Sequence, residues 1–186
     1  MCPSWNATCD EKTAMTTPLE ELRPARLRRE RAQARLAKHI RNGHWFVTLL
    51  ATEATSGVVD EDDNPPFAQC AWRDDLQLQI ETQGDHYRPV PYSESQIRIL
   101  DDLGYVAPFV LGDEFSNRTI MRSGEGCHPE TAAKLMIDTL MFVHGVHFHN
   151  FAMAVRHGVS HWTLEWRVNP GKRDLETAFR ARYTQN

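Results

Sequence analysis

Nine histidines is a high count for 186 residues, and five of them fall close together: His144, His147, His149, His157 and His161. Neutral imidazoles are the usual ligands of zinc and nickel, so His144-x-x-His147-x-His149 is a candidate metal site. Its spacing works against a shared face. On a helix the i, i+3 pair would align, but Gly145 ends a helix between them. On a strand His147 and His149 share a face that His144 does not. No His-Glu-x-x-His frame supplies a hydrolytic base. Cys127-His128 is the second candidate, because a thiolate needs a nearby base or a helix N-terminus and Pro129 opens a helix directly after it. Adjacent side chains point apart, however, and no orienting Asn or Asp can be assigned. Gly124-Glu125-Gly126 lacks the Gly-Lys-Ser/Thr of a phosphate loop, and Ser160-His161 joins no triad. The expectation is therefore no catalytic residue, no metal and no cofactor. A metal-dependent or thiol enzyme using His144–His161 or Cys127/His128 stands as the alternative.

The elements that would position these groups follow from periodicity and caps. Thr17-Pro18 with Glu20 predicts a helix running to about Asn42, closed by Gly43. Leu22, Ala25, Ala32, Leu36 and Ile40 form its apolar face, interrupted by Arg29. The remaining surface is basic, with Arg28 and Arg35 among its cations. Aromatic and β-branched residues predict strands at 45–53, 67–72, 76–82 and 117–122. In the third of these, Leu76, Leu78 and Ile80 alternate with Gln77, Gln79 and Glu81, the pattern of a sheet with one covered and one wet face. A hairpin turn is expected about Arg73-Asp74-Asp75. Ser93 and Gln96 form a capping box for a short helix that ends at Gly104. Pro129 opens an apolar helix through Ile137 and Leu140 to Gly145. Residues 162–168 alternate as a strand, and 174–183 read as an amphipathic helix with Leu175, Ala178 and Phe179 inward. Few helices among runs of strands predict an α+β fold, an antiparallel sheet covered on one face by helices.

Composition narrows the function classes. Twenty-one basic against twenty-five acidic residues give a net charge of −4, which disfavours a bulk nucleic-acid binder. No apolar run reaches the roughly 18–20 residues of a membrane span. Four dispersed cysteines, Cys2, Cys9, Cys70 and Cys127, make neither a disulfide framework nor a zinc ribbon. These features predict a soluble, cytoplasmic protein with no nucleic-acid or membrane partner. Residues 1–17 hold little that could pack and are expected to be a mobile leader, with Met15 an alternative start.

Leu-Asp-Asp-Leu-Gly-Tyr-Val-Ala-Pro-Phe-Val at 100–110 and the helix with Ala132-Ala133, Leu140 and Gly145-Val146 resemble the bacterial TY-Chap domains. These are peptide-binding chaperones related to type III secretion chaperones and YbjN-like proteins. His144 departs from the pattern, standing where that family has an aromatic, and so does the strand near Asn117. The resemblance covers about 19–147. It implies a type III secretion chaperone-like sandwich over residues 18–147, with 148–186 a C-terminal extension packed on or beside it. The family carries no catalytic residues. It further implies a non-enzymatic chaperone or adaptor that holds a protein or peptide client, and a homodimer. From the basic helix, the wet sheet face and the aromatic-rich connections, the expected partner-binding residues are Arg28, Arg35, Gln77, Gln79, Tyr105 and Phe109.

Overall fold

A computed structural model describes residues 19–43, 46–51, 65–73, 76–88, 90–112, 115–157 and 161–167. Its elements are α1 (Leu19–Arg41), β1 (Phe46–Ala51), β2 (Phe67–Trp72), β3 (Leu78–Thr82), α2 (Glu94–Leu103), β4 (Arg118–Arg122), α3 (Pro129–Asp138), β5 (Phe151–His157) and β6 (His161–Arg167). The strands form one antiparallel sheet in the order β4-β3-β2-β1-β5-β6. This is the α+β class expected. The leader and the helix at 174–183 lie outside the described residues.

Register explains which side chains meet the helices. Val47 lies opposite both Cys70 and Val155, Cys70 opposite Ile80, and Ile80 opposite Ile120, so one row of apolar residues crosses five strands on one face. Leu36 and Ile40 of α1, Leu100 of α2, and Ala133, Met136, Ile137 and Leu140 of the α3 segment close over that row. Arg29, which breaks the apolar stripe of α1, pairs with the carboxylate of Asp138, and Lys134 completes the pairing. The buried acid of α3 thus explains the basic intrusion in α1. Trp72 donates its Nε1–H to the carbonyl of Ile40 at 2.7 Å. The same carbonyl accepts from Gly43 N at 3.1 Å, so the indole fills its second lone pair at the end of α1.

The local signals at α2 are realised in full. Ser93 Oγ accepts from Gln96 N at 3.3 Å while Gln96 Oε1 accepts from Ser93 N at 2.9 Å, and Gly104 ends the helix at φ 91°. After Asp138 the helix widens into a π turn, Thr139–Val143, and Gly145 breaks it at φ 65°. Gln96 Nε2 donates to the Val143 carbonyl at 2.6 Å, tying α2 to that turn.

Three expectations are corrected. Leu76 lies outside β3, in the hairpin connection, with φ 58° and 78% of its surface exposed. The second sheet face is not wet: Thr48, Leu50, Ala71, Glu81, Thr119, Ala152 and Ala154 are all buried. The third correction concerns Phe151–His157, where no strand is predicted from the sequence. That segment is β5, paired with β1 over six residues and with the edge strand β6 on its other side.

Candidate functional site

His144 follows the π turn, and its ring is buried against β3 and the connection that precedes α2. Thr82 donates its hydroxyl to the Phe67 carbonyl at 2.7 Å, so its oxygen is left to accept from His144 Nε2 at 2.9 Å. Arg88 Nη1 donates to His144 Nδ1 at 3.0 Å. One tautomer satisfies all of these contacts: neutral imidazole with the proton on Nε2. Burial first, and the Arg88 guanidinium second, bring the imidazole pKa from its ordinary 6.5 down to about 3. The lone pair a metal would use on Nδ1 is occupied by Arg88. His144 is a structural histidine at the centre of a polar cluster.

The rest of that cluster is built for cohesion. Tyr92 donates its hydroxyl to the Gln83 carbonyl at 2.8 Å. The Arg88 guanidinium stacks 3.9 Å from the Tyr92 ring centroid, a cation–π contact. Burial is the main cause of the raised phenol pKa of Tyr92. Arg118, at the start of β4, is buried between Asp85 at 3.6 Å and Asp101 at 3.9 Å. These contacts fasten β3, β4 and α2 to the end of α3.

The thiol candidate is also engaged within the fold. Cys127 donates its S–H to the Arg122 carbonyl at 3.0 Å. His128 is the residue before α3, but it is exposed and its side chain makes no cap hydrogen bond. Cys70 is buried beneath the helices, and burial pushes its thiol pKa well up. His147 is exposed, and the backbones of His157 and His161 are register partners beside the β5–β6 connection. The side chains of His149, His157 and His161 lie outside the described residues. Among the described residues no group of three or more His, Cys, Asp or Glu is placed to hold a metal ion.

The six expected partner-binding residues do not share one surface. Tyr105 is corrected to core: it is buried beneath the helices and its hydroxyl donates to Thr139 Oγ1 at 3.0 Å, since Thr139 spends its own proton on the Leu135 carbonyl. Gln79 is half-buried on the second sheet face, where it donates to Glu81 and accepts from Arg73 at 3.0 Å. Glu81 also accepts from Gln69 at 2.6 Å and Asn117 at 3.3 Å. Three amides thus solvate one buried carboxylate. Gln77 is half-buried in the hairpin connection, its carbonyl accepting from Arg73 N at 2.9 Å. Arg28 and Arg35 are exposed on α1.

Phe109 is the exposed apolar member of the six, and it has company. Phe109, Val110 and Leu111 are consecutive and keep 45%, 68% and 40% of their surfaces exposed. Their loop is ordered by its own backbone: Phe109 N donates to the Phe115 carbonyl at 2.7 Å and Phe115 N to the Gly112 carbonyl at 3.1 Å. Phe109 holds φ 64°, and its ring lies 5.5 Å from that of His86. That left-handed conformation is costly for a bulky residue. Val106 and Thr119 exchange backbone hydrogen bonds at 2.8 and 3.1 Å, seating the loop beside the outer edge of β4. Sequence reasoning selects Phe109 and passes over its two neighbours. The run of three apolar residues between Pro108 and Gly112 is the signal that could have found them. Set against known protein families, curated proteins and solved structures, the chain matches none.

Proposed function

We propose that this protein is a non-enzymatic, chaperone-like adaptor that binds an apolar segment of a partner protein at the loop carrying Phe109, Val110 and Leu111. The exposure of those three consecutive residues carries the reading. Single exposed apolar residues are ordinary, but a run of three on an ordered surface loop is a standing cost unless something covers it. The left-handed backbone at Phe109 adds to that cost, and strain of this kind concentrates where a chain binds. The groups best suited to chemistry, His144 and Cys127, spend their donors and acceptors on structural hydrogen bonds. The resemblance to peptide-binding chaperones points the same way. No described helix is long and apolar enough to cross a membrane.

Affinity capture from source-cell lysate tests this reading. Wild type and Val110→Asp, matched for thermal midpoint, are compared by quantitative mass spectrometry. A partner recovered by wild type and lost from the variant supports the proposal. Identical recoveries from both would remove the loop from the account.

A further inference from the structure

Four cations line up on the outward side of α1. Arg28, Arg31, Arg35 and Lys38 follow one another at intervals of three, four and three residues. They therefore fall within about 80° of arc and about 15 Å of helix, and all four are exposed. The stripe lies opposite Leu36 and Ile40, which face the sheet. Other cations of α1 are matched by acids outside the stripe: Arg26 by Glu30, Arg29 by Asp138 and Arg41 by Glu130. Among the described residues Arg31 and Lys38 have no ion pair, and Arg28 and Arg35 stay exposed beside the contacts they make.

Like charges at i, i+3 and i, i+4 weaken the helix that carries them, and this chain gathers them there although its net charge is −4. Carboxylates brought by a partner turn that repulsion into attraction. Leu27, 43% exposed, and Ala34, also exposed, run along one flank of the stripe. They add an apolar contact beside the charges, and the small side chain of Ala34 lets another backbone approach. Two other polyanions fit this face less well. Nucleic acid is opposed by the net negative charge, and residues 26–43 offer no Phe, Tyr or Trp for base stacking. An anionic bilayer takes the apolar face of a basic helix, and here that face is closed against the sheet.

We propose that the outward face of α1 is a second docking surface, one that takes an acidic segment of a partner protein. Arg31 and Lys38 supply its central ion pairs to Asp or Glu side chains, and Leu27 with Ala34 forms its apolar flank. This inference goes beyond the loop at 109–111. It rests on a different element, and either surface can fail without the other.

Fluorescence anisotropy of a labelled glutamate oligomer, titrated with the full chain, tests it. Wild type should bind the oligomer at low salt and release it as salt rises. The double variant Arg31→Glu, Lys38→Glu should bind about tenfold more weakly or worse, and Arg31→Gln, Lys38→Gln should lose part of that. The control Arg98→Glu, Arg122→Glu makes the same change in net charge at exposed positions away from α1 and should keep near-wild-type affinity. Equal weakening by the control would reduce the effect to net charge and overturn the proposal. Failure of wild type to bind, or tighter binding of a uridylate oligomer or of phosphatidylglycerol vesicles, would overturn it too. Circular dichroism verifies the fold of each variant. If the glutamate pair unfolds, the glutamine pair decides, and unchanged affinity there would contradict the assignment.

Discussion

Acidification should weaken the fold through His144, whose buried ring is hydrogen-bonded as the neutral imidazole. In the unfolded chain this imidazole takes up a proton as pH falls below 6.5, whereas in the folded protein burial and Arg88 delay that until about 3. Between those values the unfolded state binds more protons, so the stability contributed above 6.5 is lost as pH falls. At about 1.4 kcal/mol per unit of displacement, moving from about pH 7.5 to about pH 5 removes about 2 kcal/mol from this residue alone. That is a large share of the roughly 5–15 kcal/mol of an ordinary domain. Urea melts of wild type and His144→Gln at both pH values isolate the effect, because the other histidines titrate in both proteins. His144→Gln starts less stable by about 1–3 kcal/mol for its disturbed partners, and its loss on acidification should be about 2 kcal/mol smaller than that of wild type. Parallel losses would refute the neutral, Arg88-capped imidazole and reopen His144 as a functional group.

Other substitutions separate core from surface. Leu140 is fully buried beneath the sheet, whereas Arg28 is exposed on α1. Leu140→Ala should therefore cost about 2–5 kcal/mol in a denaturant melt, and Arg28→Ala about 0.5 kcal/mol or less. Trp72→Phe leaves the Ile40 carbonyl without its indole donor. The loss should be about 0.5–1.5 kcal/mol by the same assay. Cys70, buried and with its thiol held protonated, should resist a maleimide reagent in the folded protein and react once urea unfolds it.

Features specified by neighbours in sequence were legible, and those specified by distant partners were not. The Ser93–Gln96 box and the Gly104 stop depend on three or four adjacent residues, and both form as read. β5 escaped because Phe151, Ala152, Met153, Ala154 and Val155 are all buried: a strand covered on both faces shows no alternation to detect. Leu76 failed for the opposite reason, since an alternation beginning at Leu78 extends by chance into the turn. Glu81 occupies a polar position in that pattern, yet amides from β2, β3 and the β4 approach allow its burial. The fates of Tyr105 and His144 were set by Thr139, Thr82 and Arg88, each more than thirty residues away in the chain. Phe109 was legible as a binding residue candidate, but the loop that presents it depends on a bridge between Val106 and Thr119.

The central claim, that the loop at 109–111 seats a partner, is tested most directly by footprinting that loop with and without the protein it captures. Hydroxyl-radical oxidation of Phe109, Val110 and Leu111 should be high in the free chain, consistent with their exposure, and should fall in the complex. Exposed Leu76, in the β2–β3 connection, should be oxidised equally in both. Undiminished oxidation of all three loop residues in a stable complex would show that the partner binds elsewhere and would contradict the account.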